Sequence, residues 1–99
     1  YTIQALWTMA REGLDVTVVV LSNRAYATLY GELAKVGATE AGPGALGMIR
    51  LDRPDIGWPD LAKGFGVPGV RAEGCAAFAR ALRSALAKKG PALVEAVIA

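Results

Sequence analysis

The sequence predicts an α/β protein with a three-layer α/β/α architecture and a mainly parallel sheet. One observation is the order of its elements: helical stripes and apolar runs alternate along the 99 residues as αβα, a long loop, and then αβαβ. The other is the character of the apolar runs, which are rich in β-branched residues and show almost no polar alternation. Such runs are typical of strands that helices cover on both faces of a sheet. A chain of this length fits one domain.

The first α/β unit opens the chain. Its helix has an apolar stripe at positions i, i+3, i+4 and i+7, formed by Ile3, Leu6, Trp7 and Ala10. The stripe predicts that Trp7 packs in the core, and Gly13 is a typical helix terminator. The run VTVVVL then predicts a strand that is buried on both faces.

A second helix and a long connection follow this strand. Leu29, Leu33 and Val36 repeat at helical spacing and predict a short helix that ends near Gly37. Residues 37–57 are dense in Gly and Pro. A connection of this length hides a short element or acts as a lid, so we predict a lid-like loop in which ALGM forms a helical turn.

The remaining elements complete the alternation. The run WPDLAKGFG predicts a helix with Pro59 in its first turn and three inward side chains, Leu61, Ala62 and Phe65. GVRAE predicts a brief strand, and the helix after it has an apolar stripe formed by Cys75, Phe78, Ala79, Leu82 and Leu86. ALVEAVIA predicts the closing strand. Glu95 interrupts that strand, and we expect it to form an end-of-strand hydrogen bond rather than to act in catalysis.

Composition disfavours several classes of function. The basic residues are scattered along a chain of net charge +2, so no stripe suited to nucleic acid exists. Histidine is absent, which removes Ser-His-Asp and Cys-His mechanisms and His-based zinc sites from this chain. Cys75 is the only cysteine, and we expect it to be a small buried apolar residue. No run has the length of a membrane span, and we expect a cytoplasmic protein that binds no membrane.

The carboxyl end of VTVVVL is the candidate ligand site, because parallel sheets bind ligands at the carboxyl ends of their strands. The side-chain oxygen of Asn23 and a backbone carbonyl two residues later are the kind of oxygen ligands that suit Mg²⁺. The free N–H groups of the following helix suit a phosphate. Ser22 and Asn23 are also ordinary turn formers, so these residues leave both an ordinary turn and a cation–phosphate site open.

The segment YTIQALWTMAREGLDVTVVVLSNRAYATL resembles the stretch of thiamine-diphosphate enzymes between the two halves of their cofactor motif. That motif begins with Gly-Asp-Gly and ends with a paired Asn at the end of an apolar strand. WPDLAKGFGV resembles a later helix of acetolactate synthases and benzoylformate decarboxylases, and AKKGPALVEAVI resembles their closing strand. The resemblance covers nearly the whole chain and implies that residues 1–99 are the carboxyl-terminal part of a single pyrophosphate-binding domain, an incomplete thiamine-diphosphate-binding fold.

The resemblance implies roles for six residues around the loop. It implies that Asn23, through its side-chain oxygen, and Ala25, through its backbone carbonyl, bind Mg²⁺. The positions implied to bind the cofactor are Asn23, Ala25, Tyr26 and Ala27, and those implied to shape the substrate pocket are Thr28 and Leu29. Ser22 replaces the first Asn of the pair. Arg24 stands where the family often has a small or acidic residue, and it either contacts an anion or points to water.

The resemblance implies part of a thiamine-diphosphate- and Mg²⁺-dependent 2-oxo acid decarboxylase or carboligase. The leading expectation is an acetolactate-synthase-like transferase, and the other is a benzoylformate-decarboxylase-like lyase. Whether another domain binds FAD stays open. The Gly-Asp-Gly half is expected just before Tyr1, in the rest of a parent chain. The activating Glu is expected from the partner subunit of a homodimer or homotetramer, so no residue here is assigned as catalytic and the isolated chain is expected to be inactive. The alternative is a non-catalytic α/β association or regulatory module derived from the same family.

Overall fold

A computed structural model describes residues 2–35, 37 and 42–98 of the chain. Helices and parallel strands alternate in it as predicted, so the α/β class is confirmed. The elements are α1 (Ala5–Glu12), β1 (Thr17–Ser22), α2 (Ala27–Lys35), α3 (Pro43–Ile49), α4 (Trp58–Gly64), β2 (Gly69–Glu73), α5 (Cys75–Ala87) and β3 (Ala92–Val97). The chain divides into two units: Tyr1–Ser22 with Gly57–Ile98, and Asn23–Ile56.

A three-stranded sheet organises the first unit. Its strand order is β1-β3-β2, and both pairs of neighbours are parallel. Thr17 of β1 lies opposite Ala92 of β3, and Gly69 of β2 lies opposite Leu93. The last strand of the chain is therefore the central strand, and four consecutive residues of it, Leu93 to Ala96, are buried.

Helices cover both faces of this sheet. On one face, Leu93 packs in a cluster with Leu6 and Met9 of α1 and with Ala62 of α4. On the other face, Ala72 and Val94 pack against α5 through a cluster that includes Phe78, Ala81 and Ala85. Burial of a large apolar side chain contributes about 1.5–3 kcal/mol, so the two clusters fix the helix layers to the sheet. The three-layer architecture is confirmed for this unit.

Glycine determines two features of this packing. Gly13 ends α1 in the left-handed region with φ of 60°, and its N–H donates to the carbonyls of Ala10 and Met9, as the sequence predicts. Gly69 begins β2 where the backbone of α4 approaches closely. A Cβ at Gly69 would lie 2.8 Å from the Cα of Pro59, so only glycine allows this distance between helix and strand.

Two predictions of burial in the first unit are wrong. The side chain of Trp7 is 52% exposed and lies beneath the guanidinium of Arg11, with 5.3 Å between that group and the ring centroid. Leu6 and Ala10 pack in the core as predicted, but Met9 joins them while Ile3 and Trp7 are exposed, so the rotational phase of the helix differs from the predicted one. The strand β1 is also not buried on both faces, because Leu21 is 65% exposed. β1 lies at an edge of the described sheet, and its residues Val18 and Val20 alone pack into the core cluster.

Three further side chains that were predicted to face inward are exposed: Leu61, Cys75 and Leu86. Ala62 of α4 and Phe65, the residue that follows the helix, face the core as predicted. The core-facing stripe of α5 runs through Phe78, Ala81 and Ala85, spaced by three and four residues. This stripe diverges from the predicted one after Phe78, and Leu86 falls on the solvent side.

The second unit contains two short helices. α3 lies inside the long predicted loop and includes the ALGM turn, so that helical turn is confirmed. α3 begins with Pro43, and proline is tolerated there because the first turn of a helix needs no N–H donor. Val36 and residues 38–41 lie outside the described residues, as do Tyr1 and Ala99, and a lid-like role for 37–57 stays a prediction. None of the described helices has the length and hydropathy that a membrane span needs.

Glu95 is the unusual member of the central strand. Its side chain is 0% exposed, and its Oε1 accepts a hydrogen bond from Nε of Arg71 on β2 at 2.9 Å. The predicted hydrogen bond exists, but it crosses to the neighbouring strand from the interior of β3 rather than from its end. The second carboxylate oxygen, Oε2, is buried and has no hydrogen-bond partner within the described part of the chain.

Candidate functional site

The loop Asn23–Tyr26 joins β1 to α2 and contains the predicted metal-binding residues. Asn23 adopts an Asx turn, because its Oδ1 accepts a hydrogen bond from the backbone N–H of Ala25 at 3.2 Å. This bond fixes the orientation of a half-buried side chain. A carbonyl oxygen has two lone pairs, so the same Oδ1 retains capacity for a second partner, such as a cation.

A short antiparallel bridge holds this loop in place. The carbonyl of Arg24 accepts from the N–H of Leu51 at 2.8 Å, and the N–H of Tyr26 donates to the carbonyl of Ile49 at 2.9 Å. Ala25 lies opposite Arg50 between these two bonds. Arg24 has φ of 57°, a conformation uncommon for any residue except glycine. The two bridging bonds stabilise that conformation and thereby the path of the loop.

The carbonyl oxygen of Ala25 is the second feature that fits a cation. No backbone N–H of the described residues donates to it, although the carbonyls on either side, those of Arg24 and Tyr26, both accept such bonds. Backbone carbonyls that lack a donor cost free energy unless water or a ligand supplies a partner. Asn23 and Ala25 thus present two neutral oxygens on one short turn, and neutral and charged oxygens are the ligands that Mg²⁺ takes.

Arg24 does not point freely to water. Its Nε lies 3.6 Å from Oδ1 of Asp55, and both side chains are about one-third exposed. The contact is an ion pair too long for a good hydrogen bond, and such partly exposed pairs stabilise by about 1 kcal/mol or less. Of the two alternatives for Arg24, the structure shows contact with an anion, and that anion belongs to the chain itself.

A second ion pair lies on the segment that bridges to the loop, where no sequence pattern indicates a site. Nη2 of Arg50 donates to Oδ2 of Asp52 at 2.9 Å. This hydrogen bond lowers the pKa of the Asp52 carboxyl below its usual range, although partial desolvation opposes the change, and Asp52 raises the pKa of Arg50. Both residues line a cavity of about 260 Å³ together with Pro43, Leu46, Gly47 and Arg53. An Arg-x-Asp pattern is common on protein surfaces, so only the folded backbone identifies this pair as a neighbour of the loop.

The predicted cofactor and pocket residues that follow the loop lie at the start of α2. Tyr26, Ala27, Thr28 and Leu29 are all exposed, as is Tyr30. No residue of α2 is buried. The first N–H groups of a helix lack intrahelical acceptors, so this end of α2 offers donors beside an exposed surface that includes two tyrosines and a leucine. The structure therefore brings the six predicted residues together on one continuous turn and helix start.

The described residues contain no group of three His, Cys, Asp or Glu side chains that could hold a metal ion. What the loop can contribute to a cation is a pair of neutral oxygens, which fits part of the coordination of Mg²⁺. It can position a cation and the anion bound to it, and it places no acid or base side chain of its own beside them.

Comparison with known proteins identifies the family. The family described as thiamine pyrophosphate enzyme, C-terminal TPP binding domain, matches residues 1–96. A Mycobacterium tuberculosis (strain ATCC 25618 / H37Rv) protein named as a candidate acetolactate synthase large subunit, IlvX, is 46% identical over 99 residues, which are 99% of this chain and 19% of that protein.

A solved structure agrees with the sequence comparisons. It is the thiamine diphosphate-dependent 4-hydroxybenzoylformate decarboxylase of Rhodococcus jostii RHA1, with a TM-score of 0.78 and 33% identity over 94% of this chain. This chain spans 16% of that protein's chain, so it corresponds to less than a fifth of either relative. The extent of the family match shows that this chain belongs to the thiamine pyrophosphate enzymes, as their C-terminal TPP-binding domain.

Proposed function

We propose that this chain holds the Mg²⁺–diphosphate end of thiamine diphosphate in an enzyme that decarboxylates or joins small 2-oxo acids. The observation that carries the proposal is the turn Asn23–Ala25, in which an oriented amide oxygen lies two residues from a carbonyl oxygen that accepts from no backbone N–H of the described residues. Oxygen ligands of this kind suit Mg²⁺. The site follows the carboxyl end of a parallel strand, where α/β sheets bind their ligands.

Each residue of the turn has a separate task in this proposal. Asn23 and Ala25 provide neutral oxygens to the cation. The first N–H groups of α2 attract the diphosphate, because a helix start carries partial positive charge. Arg24 is held by Asp55 and leaves the loop open to the cation. Thiamine diphosphate, when bound, supplies the electron sink for the carbanion chemistry, and the protein binds and orients it.

The exposed start of α2 provides part of the substrate wall. Thr28 and Leu29 follow the proposed cofactor residues directly, and Tyr26 lies just before the helix. Their exposure leaves these side chains accessible to a ligand. Such a wall selects substrates by size and polarity while the reacting groups come from the cofactor.

Among the chemistries of the family, we favour an acetolactate-synthase-like carboligase over a benzoylformate-decarboxylase-like lyase. The higher identity to the protein named as a candidate acetolactate synthase large subunit supports this choice, 46% against 33% for the decarboxylase. The charged metal ligand and the activating glutamate are proposed to come from the remainder of the protein and from a partner subunit of a homodimer or homotetramer.

A second candidate is a non-catalytic module of the same family. The observation that favours this candidate is that the loop offers only neutral oxygens, since the described residues bring no acidic cluster to it. A sequence outside these residues that supplies Gly-Asp-Gly and an activating Glu supports the enzyme. Loss of both supports the non-catalytic module.

The test replaces Asn23 by Ala in the full-length protein and measures thiamine diphosphate affinity by calorimetry at several Mg²⁺ concentrations. We expect affinity to fall by about tenfold or more, because one oriented oxygen ligand is lost. Asn23→Asp keeps the oxygen that accepts from Ala25 and should retain Mg²⁺-dependent binding. Gln4→Ala removes an exposed amide remote in sequence and serves as the matched control. Unchanged affinity in Asn23→Ala would remove Asn23 from the metal site.

A further inference from the structure

A groove in the first unit lies between α5 and the part of the sheet that contains the edge strand β2 and the central strand β3. Its volume is about 220 Å³. The floor side chains that keep exposed surface are small and apolar, namely Val70, Ala77, Ala81 and Ala92, whereas Ala72, Ala85 and Val94 also line the groove but are buried. Val70 is 48% exposed, so the floor is open to solvent from the side of β2. We call this feature the α5 groove.

One rim of the α5 groove is a polar row on the helix. Arg80, Ser84 and Lys88 line it at spacings of four residues, which places them on one face of α5 or just beyond its end. Neither Arg80 nor Lys88 forms an ion pair with another described residue. No acidic side chain is among the residues that line the groove. The rim therefore presents two cations and a hydroxyl above an apolar floor.

Arg71 also lines the groove but is committed elsewhere. Its Nε donates to Oε1 of Glu95. Glu95 follows Val94 along β3, and successive residues of a strand point to opposite faces, so Glu95 lies on the face of the sheet that does not pack against α5. The charge available to an occupant of the α5 groove thus comes from α5 itself. Arg80 and Lys88 lie two turns apart, so they bracket the groove along its length.

We propose that the α5 groove binds a short-chain aliphatic carboxylate. The carboxylate lies at the middle of the row beside Ser84, where the charges of Arg80 and Lys88 attract it from either side, and the aliphatic chain covers the apolar floor. Charge complementarity selects an anion, since the lining carries positive charge and no negative charge. The volume lies below the roughly 300–1,000 Å³ of pockets for drug-sized ligands, which selects a short chain.

The α5 groove shares no residue with the proposed cofactor site. All residues of the α5 groove belong to the first unit, whereas Asn23 to Leu29 belong to the second. The chemistry also differs, because the groove offers cations and apolar surface while the loop offers neutral oxygens. Binding of a carboxylate here can therefore be measured without thiamine diphosphate or Mg²⁺, and its outcome is independent of the proposed enzyme function.

Three probes test the proposal by ligand-observed NMR titration of the full chain, a measurement that suits weak ligands. Hexanoate carries both the charge and the chain, acetate only the charge, and 1-hexanol only the chain. We expect saturable binding of hexanoate that is about tenfold tighter than that of either other probe. Equal responses to hexanoate and acetate, or absence of saturation, would overturn the proposal.

Two pairs of substitutions locate the site. The double variant Arg80→Gln with Lys88→Gln should weaken hexanoate binding about fivefold. Its binding of 1-hexanol should be unchanged, and this result would show that the apolar floor is intact. Arg83→Gln with Lys89→Gln makes the same change of charge on neighbouring positions that do not line the groove, and should change neither. Equal weakening by both pairs would show attraction to net charge alone and contradict the proposal.

A third variant tests the floor. Ala81→Leu fills the groove from α5 and should weaken both hexanoate and 1-hexanol. Ser84→Leu, on the rim, should weaken hexanoate more than 1-hexanol. If Ala81→Leu folds with an unchanged circular dichroism spectrum and still binds hexanoate as before, the groove is not the site. Tighter binding of an acidic peptide than of hexanoate would likewise assign the surface to a protein partner and overturn the proposal.

Discussion

At the scale of single residues, the pair formed by the buried Glu95 and the partly exposed Arg71 has a large expected effect on stability. Glu95 is fully enclosed in the central strand, and Arg71 supplies the hydrogen bond and the opposite charge that it needs. A buried carboxylate without its cation is costly, whereas an apolar pair in the same place costs little or stabilises the fold. The pair is therefore expected to behave as a unit in mutagenesis.

Arg71→Met should destabilise the chain by about 2–4 kcal/mol, because Glu95 then stays buried without this partner. The double variant Arg71→Met with Glu95→Leu should recover most of that loss. Free energies of unfolding from urea titration measure both effects. The idea of a coupled pair would be wrong if the double variant were as unstable as the sum of its two single variants.

Among helices and strands, the contact between α4 and β2 depends on one glycine. Gly69→Ala places a Cβ 2.8 Å from the Cα of Pro59 and 2.9 Å from the Pro59 carbonyl oxygen. These are backbone atoms that cannot rotate away, so helix and strand must separate. We expect a loss of about 1–3 kcal/mol, which is the usual cost of overpacking.

Gly64→Ala is the matched control for this prediction. Gly64 lies in α4, the helix that packs against Gly69, and a Cβ at Gly64 would meet no atom within 4 Å. Alanine favours a helix over glycine by about 1 kcal/mol, so this variant should be neutral or more stable. Thermal unfolding of the two variants compares them directly, and similar losses in both would argue against a steric cause at Gly69.

The helices and strands also show what periodicity can and cannot predict. Spacing of apolar residues located α1 and α5, but the core-facing stripes pass through Met9 and Ala85 rather than Trp7 and Leu86. A stripe of alternating large and small residues leaves the phase ambiguous, and tertiary packing decides it. For strands, apolar composition could not distinguish β1, which lies at an edge, from β3, which lies in the centre.

The candidate site divides in the same way. The place of Asn23 and Ala25 directly after an apolar strand could be predicted from the sequence, whereas their role as metal ligands, implied by the family motif, stays a prediction. The backbone hydrogen bonds that join the loop to Leu51 and Ile49 could not be predicted, since they link residues that are more than twenty positions apart. Nothing local marks Arg50 and Asp52, which reach the loop only through that bridge.

For the molecule as a whole, the donor set of the loop limits what this chain can bind. Two neutral oxygens do not offset the charge of Mg²⁺, and the described residues provide no acidic cluster that would. The chain also spans 19% and 16% of its two relatives. We therefore expect the remaining metal ligands, and the groups that act on the substrate, to come from other parts of the protein.

The 99-residue chain should accordingly bind thiamine diphosphate weakly and should not decarboxylate 2-oxo acids. We expect the full-length protein to bind the cofactor tightly and to catalyse the reaction. Each missing charged contact costs a large share of the affinity, because desolvating Mg²⁺ and the diphosphate is repaid only by a complete set of ligands. Calorimetry of the two forms at equal Mg²⁺ measures the difference, and circular dichroism confirms that the shorter form is folded. Tight binding by the 99 residues alone would show that the loop and α2 form a complete cofactor site.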